Sequence, residues 1–397
     1  MKKSGPVVSL VITAVMLLTI LAPMNDVSAR DQDFVARDSE IPGIFDSPLC
    51  LPDLYMQEPL DCLALGASQS IKELADDGIA YPIRELPAAS PDRSLIMMPA
   101  LIARINLEAT MPAPFYASFD DAIAQDNPSR YLDPGGLRYI SYIERIDHNG
   151  KPYLRTISGD WVRAAPIAYS DFQGLIFQAN PGNDFGWIVD QTTGYSAPSF
   201  SASSTGNTFY IEEVIQLYRT VEAEGVLWYL VGPGEWVNSI KARRAYFDPT
   251  LPQEKELDRW ISVDLEQQIL YVYERGDLKF ATLISSGMEP FYTKPGLFQI
   301  YNKLSLETMQ GAFEADRSDF YYLEDVPWTM YYDEARALHG SYWRTMFGYP
   351  QSHGCVNLSP SDARWLFNWA NEGDWVYVYD PSGLTPTDPD QYGPGAP

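Results

Sequence analysis

In Ser352-His353-Gly354-Cys355-Val356-Asn357 a histidine and a cysteine stand two residues apart, and a second histidine, His339, lies sixteen residues upstream. The whole chain holds only 3 histidines and 3 cysteines, so two histidines around one thiol ask for a chemical reason. Three readings compete. A metal site would use Cys355, His339 and His353, but it needs a fourth ligand or a water, and no CxxC or HExxH partner accompanies them. A structural reading makes Cys355 a buried thiol beside packed histidines. A nucleophile needs a base to take its proton, donors for the oxyanion that forms, and a loop that fixes both. Here His339 can approach from a neighbouring strand, and His353 would share a face with Cys355 on an extended chain. Gly354 lets the backbone come close, so that the N–H groups of His353, Gly354 and Cys355 could converge on one oxygen. Cysteine–histidine nucleophilic catalysis carries most of the weight.

The elements that must hold these residues are legible around them. Ser359 is a natural N-cap, Pro360 suits the first helical position and Asp362 can close a capping box, so a helix begins just after the cysteine. Ala363, Leu366, Phe367 and Ala370 form its apolar stripe, and Gly373 stops it. Upstream, ISVDLEQQILYVYERGDLKF alternates apolar and polar residues and turns at ERGD, a meander of antiparallel strands that GLFQIYNKL and VPWTMYYDEARALHG continue. GDWVYVYD returns as a last strand. The C-terminal unit, 257–380, is therefore mainly β with one helix.

The remainder sets the context. A formal charge of −25 excludes nucleic acid as a partner, because binding a polyphosphate needs clustered Lys and Arg. Residues 1–29 carry two lysines, an apolar run from Val7 to Leu21 and small residues at Ser28 and Ala29, which is the pattern of a signal peptide cut after Ala29; an uncleaved N-terminal anchor is the alternative. In an oxidising compartment Cys50 and Cys62 can pair to close a small loop, which leaves Cys355 as the odd thiol, a liability unless its reactivity is wanted. Residues 30–92 read as an acidic, proline-containing lead-in with a helix around Ser68 to Asp77, and 381–397 as a disordered tail rich in proline and glycine. Between them lie short β-prone runs. YLRTISGDWVRAAPIA, from Tyr153, and WYLVGPGEWVNSIKA, from Trp228, look like copies of one small β unit. With an exposed Trp after an acidic turn, they resemble the end of bacterial SH3-like barrels, which implies two modules, 93–168 and 169–250. His148 falls on a hairpin tip and reads as an ordinary solvated side chain.

The hexapeptide at Ser352, with His339-Gly340 upstream, resembles the signature of the L,D-transpeptidase (YkuD-type) catalytic domain. The likeness runs outward from Arg259 to Tyr379. SSGMEPFYTKPGLFQIY resembles that domain's Thr-Pro-x-Gly-x-Phe segment, although Lys294 here interrupts the Thr-Pro pair. The resemblance implies a β-sandwich or barrel with Cys355 as nucleophile and His339 as base, its ring oriented by the Gly340 carbonyl. It further implies that Ser352 and Asn357 shape the loop and that Trp343 lines the substrate cleft. The implied reaction is acyl transfer between peptidoglycan stem peptides. Cys355 forms a thioester, D-alanine leaves a tetrapeptide stem, and an acceptor amine completes a 3→3 crosslink without metal or nucleotide. Covalent inhibition by carbapenems, which resemble an acyl donor, is expected. An L,D-carboxypeptidase or a catalytically inactive wall-binding protein remains as an alternative.

Overall fold

The computed structural model describes residues 49–392 apart from 61, 65, 249–256, 313, 315 and 318. The 1–29 segment and its cleavage site lie outside the described residues. Two seven-stranded sheets organise the site, and their strands are β1 (Ala88–Ala89), β2 (Leu101–Arg104), β3 (Leu137–Tyr142), β4 (Ala165–Pro166), β5 (Leu175–Phe177), β6 (Arg259–Asp264), β7 (Ile269–Glu274), β8 (Asp277–Leu283), β9 (Gly296–Gln299), β10 (Asn302–Gly311), β11 (Tyr321–Asp333), β12 (Arg336–Gly340), β13 (Val356–Leu358) and β14 (Trp375–Tyr379). The first sheet runs β4-β2-β3-β11-β12-β13, with β10 paired to β11; the second runs β9-β14-β6-β7-β8-β5-β1. The alternation in ISVDL and ILYVY registers as the β6–β7 ladder, Ile261 opposite Val272 and Val263 opposite Leu270.

The core lies between the sheets and is closed by helix α1 (Pro360–Trp369). Ala363, Leu366 and Ala370 are fully buried against Met330, Leu338, Val356 and Leu358, and a fully buried Leu side chain of this kind contributes about 1.5–3 kcal/mol. Phe280 stacks on Trp365 at 4.2 Å. Lys303 donates to the Phe367 carbonyl at 2.7 Å and also to that of Ala370, which places a cation on the negative end of α1. At the other end, half of the expected capping box forms: the Asp362 N–H donates to Ser359 Oγ at 3.1 Å. The Asp362 carboxyl turns elsewhere, accepting the Gly174 N–H at 3.0 Å and the Thr282 hydroxyl at 2.5 Å. It ties α1 to β8 and to the preceding chain instead of closing on its own helix.

The two copies upstream are both hairpins, Lys151–Arg155 with Trp161–Arg163 and Val226–Gly232 with Glu235–Asn238. Their tryptophans are not exposed. Trp161 packs beneath Tyr116 and Tyr153, and Trp236 beside Trp228 and Leu230, because the strand alternation turns both indoles toward the small cores. The chain around the first copy also enters the site's own sheet: Leu137, Arg138 and Tyr139 of β3 pair in parallel with Tyr321, Tyr322 and Leu323 of β11. The SH3-like identity of either unit remains a proposal. Cys50 and Cys62 are joined, with a Cα–Cα distance of 5.2 Å. The lead-in helix spans Ala67–Asp76. Within the expected tail, Pro389–Gln391 forms a 3-10 turn, and Tyr392 lies against the Arg336 guanidinium at 5.8 Å.

Candidate active site

Parallel pairing of β12 with β13 sets Leu338 opposite Val356, His339 opposite Asn357 and Gly340 opposite Leu358. Side chains alternate along a strand. Leu338, Val356 and Leu358 therefore enter the core, and His339 and Asn357 face the other way into a pocket that Cys355 also lines. Asn357 is held on its other edge by both backbone bonds to Ser285, each 2.9 Å.

Residues 352–355 are a bent loop, not the extended strand the sequence suggested. Gly354 sits at φ +119°, a region that L side chains rarely adopt. Its N–H donates to Ser352 Oγ at 3.1 Å, and the same hydroxyl donates to the Cys355 carbonyl. Ser352 thus shapes the loop by taking the Gly354 N–H for itself, which removes that group from the three expected oxyanion donors in this geometry. A second clamp was not foreseen. Thr293 Oγ1 donates to the Gly354 carbonyl at 2.9 Å and accepts the Gly287 N–H at 2.8 Å. The threonine of the interrupted Thr-Lys-Pro-Gly segment therefore reaches the cysteine loop directly.

The Cys355 thiol is half-buried, with Sγ 3.7 Å from the Ala335 carbonyl. Burial pushes it up to about 11, while the Ala337 N–H and the Arg336 guanidinium pull the other way. Arg336 is itself held by Asp333 at 2.9 Å. His339 is 2% exposed, and burial brings its imidazole down to about 4, opposed by the Gly340 carbonyl and assisted by Arg344. Nδ1 lies 3.4 Å from the Gly340 oxygen and 3.5 Å from Ser341 Oγ. A proton on Nδ1 serves the carbonyl contact and leaves Nε2 as the basic lone pair. In this resting state the thiol and the imidazole are both neutral. A proton must then pass from Sγ to the ring as a bond forms, rather than beforehand.

The other site residues divide. The Trp343 ring lies 5.6 Å from that of His339 and lines the pocket. His353 is exposed, its ring against Phe291 at 4.8 Å and parallel to Tyr321 at 6.3 Å. His148 contacts Phe119 and Tyr153 far from the thiol in sequence. Among the described residues no group of three or more His, Cys, Asp or Glu comes together in a way that could hold a metal. Reading the sequence missed Leu137, Met309, Tyr321, Leu323 and Arg344, which all line the pocket. Four of these are apolar or aromatic strand residues indistinguishable from core by type, and Leu137 arrives from a distant segment.

Residues 258–378 match the family described as the L,D-transpeptidase catalytic domain. No curated protein matches the chain. Among solved structures, a mutant L,D-transpeptidase of Enterococcus faecium is 30% identical over 31% of this chain and 50% of its own, at a TM-score of 0.29. The isolated catalytic domain of the E. faecium L,D-transpeptidase acylated by ertapenem is 31% identical, covering 32% of this chain and 99% of that one, at a TM-score of 0.28. An L,D-transpeptidase from Mycobacterium smegmatis is 17% identical over 52% of this chain and 90% of its own, at a TM-score of 0.30. The chain spans about half the length of the first solved structures it matches. At TM-scores this low the assignment is carried by the family match.

Proposed function

Because residues 258–378 form an L,D-transpeptidase catalytic domain, we propose that the protein is an exported peptidoglycan L,D-transpeptidase that makes 3→3 crosslinks. The observation that carries this reading is the β12–β13 register, which brings His339 and the Cys355 loop to one pocket. In the acylation step His339 Nε2 takes the thiol proton as Sγ attacks the carbonyl of the third stem residue. Backbone N–H groups beside Cys355 hold the oxyanion. The C–N bond to the terminal D-alanine breaks, its amine takes the proton back from the imidazolium, and a thioester remains. The side-chain amine of a second stem then attacks the thioester and gives up a proton to His339, which passes it to the departing sulfur as the C–S bond breaks, so that the amide crosslink forms and the thiol is restored. Carbapenems, as acyl-donor mimics, would stop at the acylated cysteine.

Export rests on residues 1–29, and the odd thiol fits it, since Cys50 and Cys62 are paired. The test is incubation with purified muropeptides followed by mass spectrometry. D-alanine loss with dimer formation supports the transferase, and trimmed tripeptide alone would make the protein an L,D-carboxypeptidase. No loss across several stem types would leave a wall-binding protein. Cys355→Ala must abolish both turnover and carbapenem labelling; equal labelling of that variant would refute the nucleophile.

A further inference from the structure

Among the described residues, one cation in the pocket has no acid to answer it. Arg344 lines the same pocket as His339 and Cys355, and its charge acts on both His339 and His353. Its Nη1 donates to Gln351 Oε1 at 2.8 Å and its Nη2 to the Gln351 carbonyl. Its Nε is shielded from solvent and has no hydrogen-bond partner. Among the described residues, the charge that acts on it is that of Tyr139 and not of an acidic side chain. The chain has 53 acidic and 28 basic residues, so a half-buried arginine without a carboxylate beside it is out of keeping. The neighbouring Arg336 is paired with Asp333. A shielded cation lacking a counter-charge is unfavourable unless something else supplies one. The Gln351 fork fixes the plane of the guanidinium, a rigid multi-donor group of the shape that pairs with a carboxylate.

We propose that Arg344 is the specificity residue that binds a carboxylate of the acyl-donor substrate in the active-site pocket. This rests on the transpeptidase reading above. The two residues that flank the scissile bond offer two sources of that chemistry, the terminal carboxylate and, in a diamino acid that has one, the side-chain carboxylate. Three donors separate them: the free acid, the terminal amide and the side-chain amide. In the wild type, one of the two amides loses about 10- to 100-fold in kcat/KM, chiefly through KM. In Arg344→Gln the free acid falls by a similar factor and amidation costs nothing more. Gln351→Ala, which keeps the charge, retains the discrimination even where its rate drops. The proposal is overturned if neither amide is discriminated against by the wild type, or if Arg344→Gln slows all three donors equally, as a mere prop for the 351 loop would. A second readout needs no turnover. The rate ratio of Cys355 alkylation by iodoacetate over iodoacetamide falls severalfold in Arg344→Gln. Should the wild type process no muropeptide, the transpeptidase reading fails and this ratio alone judges Arg344; an unchanged ratio then overturns the proposal.

Discussion

The Thr293 hydroxyl bridges the Gly287 N–H and the Gly354 carbonyl, 2.8 and 2.9 Å away, and so fixes the turn that presents Cys355. Thr293 is 1% exposed, and removing its hydroxyl strands two buried backbone groups, each costing about 1–3 kcal/mol. Thr293→Val is expected to lower stability by that order and kcat by tenfold or more, with Thr293→Ser close to wild type. Denaturant midpoints and single-turnover acylation rates check it; a Val variant with full activity would show that the loop holds itself.

The neutral resting pair makes a kinetic forecast. With the thiol pushed up to about 11, the thiolate fraction grows about tenfold per pH unit through neutrality. Alkylation of Cys355 by iodoacetamide should therefore climb with pH from 6 to 10. A plateau from about pH 5 upward would instead reveal a preformed thiolate–imidazolium pair.

His339 also couples pH to folding. Its folded value, about 4, lies below the ordinary 6.5. Between these values the unfolded chain binds the extra proton, so stability is full above about 6.5 and is lost as pH falls toward 4. The size is about 3 kcal/mol. Asp362, raised to about 7, and Asp264, raised to about 6, titrate in overlapping ranges with the opposite sign. The informative quantity is thus the difference between wild type and His339→Gln: the variant should lose less stability than the wild type on going from pH 7 to pH 4. Parallel curves would mean that the buried ring titrates normally.

How far the sequence led depended on the range of each interaction. The helix at Pro360 was legible because its cap, its proline and its apolar stripe are local signals. Cys355 and His339 stood out because both residue types are scarce here. The bend at 352–355 was not legible, since two residues of apparent strand cannot reveal that Ser352 will bond back to Gly354 and Cys355. The turning of Asp362 toward Gly174, 188 residues away, could not be read from a capping motif. Nor could the burial of Trp161 and Trp236, which depends on which face of each hairpin the rest of the chain covers.

The parallel pairing of β3 with β11 joins the pocket to a segment some 180 residues upstream, with Leu137 opposite Tyr321 and both lining the pocket. The turn that delivers β3 passes so close to Phe320 that a Cβ on Gly135 would overlap the Phe320 carbonyl. Backbone cannot yield there as a flexible side chain can. Gly135→Val should therefore push β3 outward, loosen the Leu137 wall and expose the β11 edge, with a stability loss of about 1–3 kcal/mol. Substrate binding should weaken while iodoacetamide still alkylates Cys355 at the wild-type rate, because the 352–355 loop is anchored by Thr293, Ser286 and Met288, none of them on β3. Equal losses in both assays would mean that β3 supports the whole domain rather than the pocket wall. An unchanged KM would mean that substrate does not reach as far as Leu137.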